Sequence, residues 1–112
     1  MLKNFRSYQL AVSFYQICAK IRRDDLLHEQ LLRASSSAVL NLAEGSERVT
    51  DRDRRKFYRI AMGSVRECQA ILDLIQDDPM ISSAKAAADS LGASVFKLCS
   101  SLDKTLTPQN RT

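Results

Sequence analysis

Apolar residues recur along this chain at steps of three and four, which is the period of an α-helix. At about 100° per residue, Phe5, Tyr8, Val12, Tyr15 and Ala19 fall on one stripe of a first segment. Leu10, Phe14, Ile17 and Ile21 fall on another, nearly opposite. In a second segment Leu27, Leu31, Ala34, Ala38 and Leu42 repeat, with Ser35 and Val39 flanking them. A third carries Phe57, Ile60, Ala61, Ser64, Cys68, Ile71, Leu72 and Ile75. A fourth carries Ala84, Ala88, Leu91, Val95, Leu98, Leu102 and Leu106, weakened slightly by Gly92.

The polar residues between these runs supply starts and stops. Asn4 is a candidate first cap, and Asp24-Asp25 closes one helix and opens the next. Gly45 fits the position just past a helix end, where a left-handed backbone is needed. Thr50 with Asp53 three residues later approximates a capping box. Asp77-Asp78-Pro79 stops the third helix, because the residue before proline disfavours helical backbone. Helices are therefore expected over residues of about 4–23, 26–44, 51–77 and 82–106, with 107–112 a frayed tail. Four amphipathic helices joined by short turns predict an all-α, antiparallel up-down-up-down bundle spanning 1–112 as a single domain.

The first helix adds an expectation about assembly. A surface helix of a monomer needs one apolar stripe, and two opposed stripes imply burial on two sides. The Leu10, Phe14, Ile17 and Ile21 stripe is the expected oligomer interface. The alternative is a helix enclosed by its own domain.

Composition narrows the class. Only 3 Gly and 2 Pro in 112 residues leave few breaks. No run approaches the ~18 apolar residues of a membrane span, and the N-terminus lacks the pattern of an export signal. A cytoplasmic protein is expected. Cys18, Cys68 and Cys99 are odd in number and widely spaced, which suits neither a disulfide framework nor a zinc site. Buried, reduced thiols follow.

The formal net charge is +4. Residues 48–59 hold six cations, Arg48, Arg52, Arg54, Arg55, Lys56 and Arg59, against Asp51 and Asp53. That segment alone equals the charge of the chain. Arg52, Arg55, Arg59 and Arg66 share one side of the third helix, opposite Phe57, Ser64, Cys68 and Ile75. Arginine suits bidentate contact with phosphate, and a row of them on a rigid helix suits a polyanion. Tyr58, inside the cluster, is a candidate base-stacking ring. The plainer reading is a solvated face steadied by pairs such as Asp51–Arg54 and Asp51–Arg55. Lys20, Arg22 and Arg23 form a second cluster, whose plain role is to face a helix C-terminal dipole.

Catalytic chemistry is sparse. His28 is the single histidine, so a di-metal bundle lacks its Glu-x-x-His pairs. There is no glycine-rich phosphate loop, and the Ser35-Ser36-Ser37 run has no base arranged to activate it. Glu44, Glu47, Asp51 and Asp53 match no metal-loop spacing. The expectation is a non-enzymatic protein without cofactor or metal.

Two spaced motifs point further. One is Gln30-x-x-Arg33-Ala34-x-x-Ser37-x-x-x-Asn41-x-Ala43-Glu44-Gly45-x-x-Arg48, and the other is Phe57-x-x-Ile60-Ala61-x-Gly63-Ser64-x-x-Glu67. Together they resemble the small four-helix-bundle proteins encoded in intervening sequences of bacterial 23S ribosomal RNA genes, relatives of the accessory variability determinants of diversity-generating retroelements. The likeness covers the first three helices. It implies a ring-like homopentamer, a basic surface suited to nucleic acid and, in the retroelement relatives, a reverse-transcriptase partner. The sequence departs from the family at Arg22-Arg23-Asp24-Asp25, where a Phe-Pro-type turn is usual, and at Leu42, where Ile is usual.

The motif also reads physically. Arg33, Asn41, Glu44, Ser64 and Glu67 would form a polar network fixing the register of the second and third helices, in preference to a ligand site. Gly63 and Ser64 are small enough for close helix packing. The function expected is phosphate binding to RNA or DNA through Arg48, Arg52, Arg55, Lys56 and Arg59, with Arg66 weaker. The alternative is a scaffold docking an acidic partner such as a reverse transcriptase, and a nuclease needing His28 or Glu44 is a distant third.

Overall fold

The computed structural model describes residues 2–22 and 24–106, and all regular structure among them is helical. A 3-10 turn, Leu2–Asn4, leads into α1 (Arg6–Ala19), α2 (Leu26–Ser46), α3 (Asp51–Leu74) and α4 (Pro79–Leu106). Helix α1 packs on α2 and α4, and α3 packs on α2 and α4. One core runs through all four, with Phe14, Leu31, Leu42, Val65, Leu72, Ile81, Leu91 and Val95 fully buried. Fully burying such a side chain contributes about 1.5–3 kcal/mol. Arg23 and the tail 107–112, both part of the sequence reading, lie outside the described residues.

Helix α1 is shorter than its pattern. Asn4 belongs to the 3-10 turn, and Phe5 holds the cap position without a side-chain bond. The expected interface stripe is corrected here. Phe14 is 0% exposed and Ile21 is 5% exposed, both within the chain's own core. The core face is Ser7, Ala11, Phe14, Cys18 and Ile21, so the second stripe overlaps it through Phe14 and Ile21. Leu10 and Ile17 stand on one flank of that face, and Phe5 and Tyr8 of the first stripe on the other. Leu10 and Ile17 are half-buried against that core.

His28 ties the first connection together. Its backbone N–H donates to Asp25 Oδ1 at 3.0 Å, capping α2. Its ring Nε2 lies 3.1 Å from the Cys18 carbonyl, which accepts one of the bonds that end α1. A carbonyl only accepts, so that nitrogen carries the proton.

Gly45 is a second correction. It lies inside α2 with right-handed backbone, and no described glycine has positive φ. Its lack of a side chain serves packing: a Cβ there would stand 2.5 Å from Tyr58 Cε1 and 3.2 Å from Phe57 Cβ. Gly63, read as a packing glycine, is instead exposed, with nothing within 4 Å of where its Cβ would be.

Thr50 Oγ1 accepts from the Asp53 backbone N–H at 3.2 Å, which starts α3 as its sequence indicates. At the far end, Ile75 adopts extended backbone. Helix α4 begins at Pro79, three residues before the expected start. Asp78 Oδ1 accepts from the Ile81 N–H at 2.8 Å, and proline at the first helical position loses no bond.

Candidate nucleic-acid interface

The cationic segment occupies the start of α3. Arg52, Asp53, Arg55, Lys56 and Arg59 line one shallow groove of about 480 Å³. The helix places them there because positions 52, 55, 56 and 59 are one turn apart. Asp51 and Asp53 sit in the first turn, where carboxylates favour the positive end of the helix dipole.

These cations are held differently. Arg59 Nη2 donates to Asp103 Oδ1 at 2.7 Å, and Arg55 Nη1 reaches the same oxygen at 3.4 Å. One α4 carboxylate thus bridges two α3 guanidiniums. Arg55 is 25% exposed and Arg59 58%, so Arg55 belongs to the helix seam and Arg59 extends from it. Arg54 pairs with Asp51 at 2.7 Å. Arg52 and Lys56 are exposed and meet no carboxylate among the described residues.

Two residues of the expected set fall outside the groove. Arg48 pairs with Glu44 one turn back, and its guanidinium lies 4.9 Å from the centre of the Phe57 ring. Lys56 Nζ approaches that ring at 5.9 Å. Arg48 therefore pins the end of α2 to α3. Arg66 Nη1 donates to Gln69 Oε1 at 2.9 Å, and Gln69 Nε2 donates to Asp89 Oδ1 at 3.0 Å. That chain lies two turns beyond Arg59.

Tyr58 is no stacking ring for a ligand. It is buried, 5.8 Å centre to centre from Phe5, and Phe57 is the half-exposed aromatic of the pair. Burial pushes the Tyr58 hydroxyl pKa up.

The polar residues between α2 and α3 divide into separate units. Arg33 Nη2 donates to Glu67 Oε2 at 3.0 Å. Asn41 Nδ2 donates to the Ser37 carbonyl at 2.9 Å and its hydroxyl at 3.1 Å, and Ser64 Oγ donates to Ser37 Oγ at 3.0 Å. Glu44 joins neither, being taken by Arg48. Ser37 is the centre that the expected set lacked, although its place in the motif marked it. Ser35 and Ser36 donate to the carbonyls of Leu32 and Arg33.

The three cysteines are buried and free. Burial raises the Cys18 and Cys68 thiols to about 12 and raises Cys99 as well. Among the described residues no group of three or more His, Cys, Asp or Glu is placed to hold a metal. None of the described helices is long and apolar enough to cross a membrane.

A four-helix protein with a cationic groove at the start of its third helix and, among its described residues, no cluster placed to hold a metal is the class these features define. The chain belongs to the 23S rRNA-intervening sequence protein family, whose model matches residues 5–104. A solved protein of unknown function from the S23 ribosomal protein family of Bacteroides thetaiotaomicron has a similar fold. The TM-score is 0.69 at 17% identity, covering 88% of this chain and 98% of that one. No curated protein matches the chain.

Proposed function

We propose that this is a non-enzymatic, oligomeric accessory protein that binds RNA or DNA by its phosphates. The observation that carries the reading is the groove of Arg52, Arg55, Lys56 and Arg59. Arg52, Lys56 and Arg59 face solvent from one rigid helix, which suits charge-assisted contact with successive phosphates. Such contacts position a protein on a strand without reading its sequence. The absence of chemistry is supported by how the reactive groups are spent: His28 closes a helix end, and the serine run bonds within its own helix and to Ser64.

The helices are taken to run up-down-up-down. Supporting pairs fall in opposite directions along the chain: Arg33 with Glu67 and Ser37 with Ser64 between α2 and α3, and Arg59 with Asp103 and Gln69 with Asp89 between α3 and α4. Assembly into a ring, a pentamer by the family resemblance, uses a different face from the stripe first expected. Val12, Tyr15, Val39 and Leu40 line an apolar groove of about 260 Å³ between α1 and α2, and Leu40 is 66% exposed. A ring would repeat the α3 groove around its circumference and strengthen weak phosphate contacts.

The test is the variant Arg52→Glu/Lys56→Glu/Arg59→Glu, sized by light scattering. Loss of RNA binding in an intact oligomer is the expected result. Retained binding in a correctly assembled variant would sink the assignment. If wild-type protein ignores bare RNA yet co-purifies with one acidic protein, such as a reverse transcriptase, the same face is a protein-docking surface.

A further inference from the structure

Phe96 is the one phenylalanine among the exposed large apolar side chains, at 58% exposure. It stands on α4, seven residues from Asp89 and seven from Asp103. Two helical turns, about 10.5 Å, separate it from each. Those carboxylates make the α3–α4 ties to Gln69 and Arg59, so the ring lies midway along the seam between them. Arg66, Gln69, Asp89, Gly92, Ala93 and Phe96 line a shallow groove of about 390 Å³ there. Gly92 and Ala93 precede the ring by one turn and bring no bulky α4 side chain to that flank, where Gln69 Nε2 and Arg66 Nη1 lie 3.4 and 3.6 Å from the place of a Gly92 Cβ. A single ring rimmed by arginine, amide and carboxylate is a poor apolar patch for a protein, which would bring several side chains to bury. It is a good platform for one flat ring. Arg59 and Arg66, seven residues apart on the facing helix, bracket it with guanidinium groups, Arg59 bonded to Asp103 and Arg66 to Gln69.

We propose that Phe96 is a base-stacking platform, and that the preferred ligand of this protein is single-stranded nucleic acid with unpaired bases. The inference rests on the phosphate-binding reading of α3. The strand runs along the seam, its phosphates on the Arg59 and Arg66 side and one base over Phe96. Every base has a π-face, so the preference is for strandedness and not for sequence. A base inside a duplex is already stacked on both faces and cannot reach the ring.

The chain has no tryptophan, so Phe96→Trp installs a single fluorescent reporter at the platform. Phe96→Ala removes the platform. Both variants, sized by light scattering, are titrated with oligouridylate and with duplex RNA of equal phosphate number. Expected for Phe96→Ala is an affinity about tenfold or more weaker for oligouridylate, with duplex affinity unchanged. Expected for Phe96→Trp is retained oligouridylate binding with quenched fluorescence. Wild-type affinity of Phe96→Ala for oligouridylate overturns the proposal, as do an equal loss for both ligands and unchanged tryptophan emission in a bound complex. A change of oligomer size without strand-selective loss also overturns it, assigning Phe96 to a contact between copies. Wild-type protein that binds neither RNA removes the phosphate-binding reading itself, a result distinct from loss of the stacking alone.

Discussion

A methyl group at Gly45 would meet the Tyr58 ring edge at 2.5 Å, and that ring is buried against Phe5. Replacing glycine by alanine in a helix gains about 1 kcal/mol of propensity. Overpacking a filled site costs about 1–3 kcal/mol. Overpacking wins at Gly45, because the obstructing atoms belong to a buried aromatic ring packed against Phe5. Gly63 faces open space, so the propensity gain stands alone there. Gly45→Ala is expected to lower the urea midpoint and Gly63→Ala to raise it; movement in the same direction would contradict this packing. The motif contains both glycines, but spacing cannot distinguish one that admits a ring from one that touches nothing. The cysteines give a pH signature. Their folded pKa values lie above the unfolded ones, with Cys18 and Cys68 at about 12. The folded chain therefore keeps thiol protons that the unfolded chain loses. Their stabilisation is full below the ordinary thiol range of about 8.5–9 and declines as pH rises toward 12. Denaturation followed upward from pH 8 should show that decline, at up to about 1.4 kcal/mol per pH unit per thiol. Stability rising over that window would contradict the burial of these thiols.

The starts of α2 and α3 were the most legible features and the helix faces the least. Thr50 caps α3 as its sequence suggests, because a side-chain oxygen three residues ahead of a free N–H is a local fact. Asp78-Pro79, a stop by sequence, is also a start: Asp78 caps α4 and Pro79 fills a position whose N–H would go unused. Asp78→Ala should lower stability by about 1 kcal/mol in thermal unfolding, and an unchanged midpoint would mean that the cap contributes nothing. Of the expected α3 face, Ala61, Cys68, Ile71, Leu72 and, just past the helix end, Ile75 are buried; Tyr58 and Val65 join them, Ile60 is exposed, and Phe57 and Ser64 are half-buried. Helix α3 packs on both α2 and α4, so its buried arc is wide, and a wheel cannot rank Phe57 against Tyr58 at its edge. Packing decides it: the gap at Gly45 accepts Tyr58, and Phe57 is left to Arg48 and Lys56. The α1 stripes misled for a related reason. A core face shared with α2 and α4 is wide, and its two sides resemble separate faces when the neighbours are unknown. The Arg33–Glu67 tie, with both side chains well exposed, adds at most about 1 kcal/mol and serves register more than stability.

At the scale of the molecule, the charge of the chain is concentrated where α3 begins, and the fold decides which of those charges face water. Arg48 and Arg54 are paired locally, Arg55 and Arg59 share Asp103, and Arg59, the more exposed of those two, joins Arg52 and Lys56 in the outward set. The sequence placed the cluster on α3, but the share taken by Asp103 was not visible, since that carboxylate lies 44 residues from Arg59. Three outward cations on one helix make a definite demand on binding. Each neutralised phosphate of a single strand contributes about −0.7 to the slope of log affinity against log salt, so three predict about −2 for each engaged subunit. The most direct test is that slope, measured with single-stranded RNA on the wild-type oligomer and on Arg52→Glu/Lys56→Glu/Arg59→Glu. The account predicts a slope of about −2 or steeper in the wild type and no binding in the variant. A flat salt response, or the same slope in both proteins, would contradict it.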